Sequence, residues 1–254
     1  SPGEINNLSA KVTPDIALII NAAASHLERL DSVEKVANEK SYILRHLKND
    51  GVAVLPRDSE FFSYWKEKCV NKRIISFGFH QDSDIWLRNV QSDFLKNKIS
   101  FELNYAHKSI KCFMNGIGLH NSLNACAALA VCHALEIDLE EISINLSRVT
   151  YPSRRMEVHK GLKGSVLVDD SYNANPESMK KSLDVMKDLK GKKRIFIAGE
   201  MRELGEHQDF YHREICKYTK GRVEEFLCIG KLWEEGIKYI PNVGRGFSCK
   251  DELL

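Results

Sequence analysis

Apolar and polar positions along this chain follow two rhythms, and the switch between them marks out its architecture. Ile16 to Ile20 is an unbroken apolar run behind Pro14 and Asp15, which predicts a parallel strand buried on both faces. Val33, Val36, Ala37, Leu44 and Leu47 then fall at helical spacing, predicting a helix over about 32–48 that Gly51 ends. Behind it, Val52 to Leu55 reads as the next strand, so residues 5–55 are helix, strand, helix, strand. Over 73–114 the rhythm changes. Phe101, Leu103 and Tyr105 alternate with polar residues, and the segments around Ile74, Trp86 and Ile110 look alike. These predict half-exposed antiparallel strands.

An Ala-rich helix is expected over about 121–135. Asp138 with Glu141 has the spacing of a capping box for another helix, reaching about Arg148. Tyr151-Pro152-Ser153-Arg154-Arg155 is the best boundary. Beyond it the pattern predicts a strand at 166–168, buried because Val166-Leu167-Val168 is wholly apolar, then helix 177–189, strand 194–198, helix 208–219 and strand 226–229. The class is α/β, with a mixed, mainly parallel sheet followed by a second, Rossmann-like unit.

Composition narrows the function. Net charge is +2, from 37 basic and 35 acidic residues, so no broad field favours nucleic acid or a membrane surface. No apolar stretch approaches the ~20 residues of a membrane span, and no signal peptide is visible. The seven cysteines are odd in number and lack C-x-x-C spacing, which argues against a disulfide framework or a zinc site and for reduced cytosolic thiols. Both ends read as interrupted, so the chain is expected to be a piece of a longer protein.

The densest chemistry lies at Asp169-Asp170-Ser171-Tyr172-Asn173-Ala174-Asn175-Pro176-Glu177-Ser178-Met179. Asn175 is a good N-cap and Pro176 a good first helical residue. Two carboxylates and two carboxamides thus gather between a strand's carboxyl end and a helix's positive end, where open α/β sheets bind ligands. Lys40 interrupts the apolar stripe of the first long helix. It either snorkels along its neighbours or is a neutral amine able to form a carbamate, an anionic oxygen ligand for a hard cation. Asn21 ends the first strand, with His26 five residues on behind small residues. Gly116 and Gly118 precede Asn121 and Asn124, which share a helical face near an N-terminus suited to anions or polar rings. Gly161-Leu162-Lys163-Gly164-Ser165 precedes a strand and reads as a hairpin turn, and no G-x-x-x-x-G-K-[ST] phosphate loop occurs. His207 and His212 are expected on a solvated face.

These residues converge on a family. NAAASHLE (21–28), Lys40 within VANEKSYIL (36–44), GLHNSLN (118–124), DDSYNANPESM (169–179) and GEMRELGE (199–206) stand in the order found in Mur ligases, and the chain most resembles the branch that adds D-alanyl-D-alanine. The resemblance implies a partial central ATPase domain over 1–152 and a partial C-terminal domain over 153–254, with the phosphate loop upstream. It implies ATP and Mg2+ as cofactors, with His26 and a carbamylated Lys40 at the metal. Asn121 would contact adenine, Arg155 the nucleotide phosphates and Asp170 the ribose. Asn173 and Asn175 would line the nucleotide cleft, and Asn21 and Asn124 count among the cofactor-binding residues.

Three departures from the family pattern bear on these assignments. Arg154 stands where the family usually has glycine, leaving Arg154 and Arg155 as alternatives at the phosphates. Tyr42 replaces a usual glutamate, and Glu200 a usual aspartate. The implied substrates are UDP-N-acetylmuramoyl-tripeptide and D-Ala-D-Ala, handled by a cytoplasmic monomer, with no nucleic acid and no membrane insertion. The rivals are a folylpolyglutamate-type ligase, against which DDSYNANP argues, and a nucleotide-binding module that has lost catalysis.

Overall fold

A computed structural model describes residues 2–189 and 193–253. They form two compact units: Ser1–Ala23 with Val33–Tyr151, and Ala24–Ser32 with Pro152–Leu254. Among the described residues no helix is long and apolar enough to cross a membrane.

The first unit opens with α1 (Glu4–Val12) and β1 (Ile16–Leu18). A short helix, α2 (Leu27–Leu30), groups with the second unit. The first unit resumes with α3 (Val33–Arg45), β2 (Val52–Pro56), α4 (Phe62–Glu67) and β3 (Arg73–Gly78), then β4 (Ile85–Asp93), β5 (Lys98–Tyr105) and β6 (Lys108–Asn115). It closes with α5 (Leu119–Ala134) and α6 (Leu139–Ser143). The six strands make one sheet in sequence order, parallel through β4 and antiparallel from β4 to β6.

The apolar runs explain the layering. Successive side chains of a strand point to opposite faces, so Val52 and Val54 enter the core under α5, while Ala53 and Leu55 enter the one under α3 and α4. Small residues on α5 (Ala125, Cys126, Ala127 and Ala130, all buried) let it approach the sheet closely. On the other side, the Trp65 indole N–H donates to the Ala37 carbonyl at 3.0 Å, tying α4 to α3.

Two expectations for this unit need correction. The strand around Ile74 is parallel to β2, not part of an antiparallel set, and its Ile75 and Phe77 are buried. A parallel pairing needs a crossover, and α4, which supplies it, is six residues long, too short to show helical periodicity. At α6 the Asp138 carboxylate accepts from the Glu140 amide rather than pairing with Glu141, and the helix passes into a 3-10 turn, Ile144–Arg148.

The second unit contains β7 (Glu157–Lys160), β8 (Val166–Asp169), α7 (Pro176–Lys187), β9 (Ile195–Ala198), α8 (Gln208–Tyr218), β10 (Glu225–Ile229) and β11 (Gly244–Phe247). Strands β9, β10 and β11 are parallel, with β10 central. β8 is not the buried parallel strand its apolar triplet suggests. It pairs antiparallel with β7 as a two-stranded hairpin turning at 161–165, and Val166 and Leu167 are 44% and 57% exposed. Three apolar residues record β-preference; they do not record which sheet receives the strand.

His212 is a further correction. It is fully buried and meets the Trp233 ring edge-on at 4.4 Å. Its Nδ1–H donates to the Gln208 carbonyl at 2.7 Å, and Nε2 accepts the Met201 amide N–H at 3.1 Å. A buried ring with both nitrogens satisfied is a structural element, not a solvated side chain.

Candidate functional site

In the first unit the carboxyl end of β1 runs through Ile19 and Ile20 to Asn21. There Lys40, reaching from α3, donates from Nζ to the Asn21 carbonyl at 2.7 Å and to its Oδ1 at 3.3 Å. Lys40 is half-buried, and loss of water around the ammonium pushes its pKa below the ordinary lysine value. Leu8, Val12, Ile19 and Ile43 line a groove of about 530 Å³ that also reaches Asn21 and Lys40, so the amine sits at the rim of an apolar surface. Its neighbour Glu39 went unnoticed in the sequence. It is buried, one turn on from Val36, and its carboxylate accepts the Gly3 amide at 2.8 Å and the Ile5 amide at 3.1 Å. A carboxylate at a helix N-terminus satisfies orphan donors and opposes the helix dipole. Glu39 therefore anchors α1 beside Lys40.

The α5 start differs from expectation in one respect. Gly116 and Gly118 both take positive φ, 114° and 85°, and a Cβ on Gly116 would meet the Tyr151 ring at 2.9 Å. That tight approach delivers the helix start. Asn121 and Asn124 do not share an environment, however. Asn121 is buried and donates from Nδ2 to the Ile117 carbonyl at 2.8 Å, whereas Asn124 is exposed. Three positions on a helix differ by about 60° around the axis, enough to separate core from surface.

In the second unit the polar strand-to-helix segment is ordered by its own side chains. Asn175 and Ser178 form a reciprocal capping box with Pro176 as the first helical residue. The Asp169 carboxylate accepts the Ser171 amide at 3.0 Å, and hydrogen bonding from the Ser171 hydroxyl and then its amide holds its pKa below the ordinary carboxylate value. Asn173 folds back to accept from the Ala174 amide. Asp170 accepts the Met156 amide at 3.1 Å on one oxygen and the Ser182 hydroxyl at 2.6 Å on the other. Each oxygen retains a second lone pair, so Asp170 positions the segment and still has acceptor capacity. The Arg155 guanidinium lies over the Tyr172 ring at 4.2 Å. Arg154 has φ of +61°, the left-handed conformation that glycine adopts freely.

His26 also belongs to the second unit. Its Nδ1 lies 2.5 Å from Glu203 Oε2, and the Glu28 amide donates to the Glu203 carbonyl at 3.0 Å. Both His26 and Glu203 have positive φ, 57° and 62°. Gly205 packs so closely that a Cβ there would stand 3.0 Å from the Glu28 Cα. The side chains are 62% and 57% exposed, and so exposed a polar contact contributes only about 0–1 kcal/mol. Two left-handed non-glycine residues cost on the order of 1–2 kcal/mol each. The pair does not offset that strain by itself; backbone bonding and close packing of residues 26–28 against 203–205 hold it.

Among the described residues, no three His, Cys, Asp or Glu side chains stand close enough to hold a metal ion by themselves. Magnesium keeps waters and takes phosphate oxygens rather than an all-protein cage, so single protein donors completed by nucleotide oxygens suit it. The Lys40 amine is half-buried against Asn21, and loss of water shifts its pKa downward, the direction that carbamate formation needs.

Comparison with known proteins follows the same division. The Mur ligase middle domain profile matches residues 1–132, and the profile of the Mur ligase glutamate ligase domain matches residues 154–240. The UDP-N-acetylmuramoyl-tripeptide–D-alanyl-D-alanine ligase of Buchnera aphidicola subsp. Baizongia pistaciae is 32% identical over all of this chain and 54% of its own length. A crystal structure of MurF from Acinetobacter baumannii superposes with a TM-score of 0.92 at 25% identity, covering 99% of this chain and 54% of that one. MurF from Thermotoga maritima in complex with ADP has the same fold, with a TM-score of 0.82 at 23% identity over 100% of this chain and 57% of its own. The chain thus spans about half the length of the relatives it matches. With the middle-domain profile covering more than half of its residues and the second profile following in order, this chain belongs to the Mur ligase family.

Proposed function

We propose that the protein containing this chain is the ATP-dependent ligase that adds D-alanyl-D-alanine to UDP-N-acetylmuramoyl-tripeptide in peptidoglycan precursor synthesis, acting as a cytoplasmic monomer. The observation that carries this reading is a D-alanyl-D-alanine-adding relative aligned over the whole chain at 32% identity. ATP transfers its γ-phosphoryl group to the tripeptide's terminal carboxylate, giving an acyl phosphate and ADP. The D-Ala-D-Ala amine attacks the acyl carbon, the new C–N bond forms, and phosphate leaves. ADP bound to MurF of T. maritima supports an adenine nucleotide as the partner of this fold.

The residues of this chain divide the work. Asn121 contacts adenine, and Asn21, Asn124, Asn173 and Asn175 are the further nucleotide-binding residues of this reading. Asp170 offers its remaining lone pairs to the ribose hydroxyls. Arg155, with Arg154 as the alternative, meets the phosphates. His26 and Lys40 would hold magnesium, which when bound offsets the charge gathering on the transferred phosphoryl group. At Lys40 the neutral amine attacks the carbon of CO2, an N–C bond forms, and a proton passes to solvent. The product is a fixed anionic ligand rather than a nucleophile.

Phosphate release by the full-length protein should require both UDP-N-acetylmuramoyl-tripeptide and D-Ala-D-Ala; release with either alone would overturn the reading. Lys40→Ala should lower turnover by about 10- to 100-fold. Undiminished turnover of that variant, including at low bicarbonate, would remove the carbamate from the scheme.

A further inference from the structure

The GEMRELGE segment (199–206) is the one motif to which the proposed reaction gives no work, yet the fold sets it against His26 with care. Two backbone strains, a main-chain hydrogen bond and a glycine contact all converge on the approach of residues 203–205 to 26–28. The result is a carboxylate seated on one imidazole nitrogen. A surface ion pair made only for stability needs no such framework, because exposed long side chains find each other without strained backbone.

The chemistry of the contact is directional. A carboxylate only accepts hydrogen bonds, so its presence at Nδ1 requires the proton on Nδ1. The neutral imidazole then keeps its lone pair on Nε2, the form that binds a metal or a metal-held water. A carboxylate on the far nitrogen fixes tautomer and ring orientation and raises the basicity of the other. Met201, two residues before Glu203, donates its amide to the buried His212. The 199–206 segment is thereby tied into the core of the second unit, and Glu203 rests on a rigid base.

We propose that Glu203 is a positioning residue of the ligase reaction: it selects the Nδ1–H tautomer of His26 and holds the ring for its work at the magnesium nucleotide. This rests on the functional reading above, but its test separates the two. In full-length protein labelled with 15N at histidine, about two pH units above the ordinary histidine pKa, the ring shifts of His26 should report Nδ1 protonated. The spectrum of His26→Gln assigns the signal. Glu203→Ala should move that signal to the Nε2–H tautomer or to a mixture, with an unchanged thermal melt. Glu203→Gln, which can donate as well as accept, should do the same in part.

In kinetics both variants should lower kcat about 10–100-fold and raise the magnesium concentration needed for half-maximal rate, while KM for D-Ala-D-Ala stays put. A wild-type His26 carrying its proton on Nε2 would overturn the proposal. So would a Glu203→Ala variant with unchanged tautomer and unchanged magnesium dependence. If wild type shows no D-Ala-D-Ala-dependent turnover, the functional reading and this role in the ligase reaction both fall. If turnover is normal and the tautomer test fails, only the assignment of Glu203 falls.

Discussion

Replacing His212 by phenylalanine isolates what one buried ring does for the loop that carries Glu203. Phenylalanine keeps an aromatic face against Trp233, which the histidine meets at 4.4 Å, but removes the Nε2 that accepts the Met201 amide at 3.1 Å. Met201 is 1% exposed, so water cannot take over without the loop opening. An orphaned buried donor costs about 1–3 kcal/mol. The bond to the Gln208 carbonyl adds little, because that carbonyl sits one helical turn before His212 and the helix already supplies a backbone donor. Hydrogen exchange of the Met201 amide should therefore accelerate by about 5- to 150-fold in His212→Phe.

The same pair of proteins tests the sign of a pH effect. Burial lowers the His212 pKa below the ordinary histidine value. A neutral folded ring and an opened state that protonates first mean that His212 stabilises fully above about pH 6.5 and loses that contribution as pH falls toward the lower folded value. The loss approaches ~1.4 kcal/mol per pH unit within that window, and phenylalanine has none of it. After correction for intrinsic exchange, the gap between wild type and variant should narrow on acidification. An unchanged Met201 exchange rate in the variant, or a gap that widens at low pH, would refute the account.

Other expectations follow from the same contacts. Glu39→Ala leaves the Gly3 and Ile5 amides without their carboxylate; it should destabilise the first unit by about 1.5–3 kcal/mol in urea denaturation, and α1 should become the first site of limited proteolysis. Gly230→Ala should cost on the order of 1–3 kcal/mol, because φ there is +117° and the new Cβ would stand 2.2 Å from Glu200 Oε1. If Glu200 can swing away without losing the Leu232 amide it accepts at 3.1 Å, the measured cost will stay well below that range.

Locally coded features were legible in the amino-acid string. The runs at Ile16 and Val52, the Asn175-Pro176 helix start, the glycine turn before α5 and the hairpin at 161–165 each depend on residues within a few positions of one another. Propensity, capping and φ preference act at that range. Lys40 could be singled out because one charge in an apolar stripe is itself a local anomaly, and the order of five short motifs pointed to the family.

Tertiary structure decided everything that rests on distant partners. His26 meets a carboxylate 177 positions away, Glu39 caps a helix more than thirty residues before it, and the imidazole of His212 is buried because Trp233 and the Met201 amide close over it. Whether Val166–Asp169 joined a parallel sheet or a hairpin turned on which edge was available to pair, not on its three apolar residues. Period and composition report what a side chain prefers to face. Which residue it actually faces is set when the loops close, and that information is spread over the whole chain.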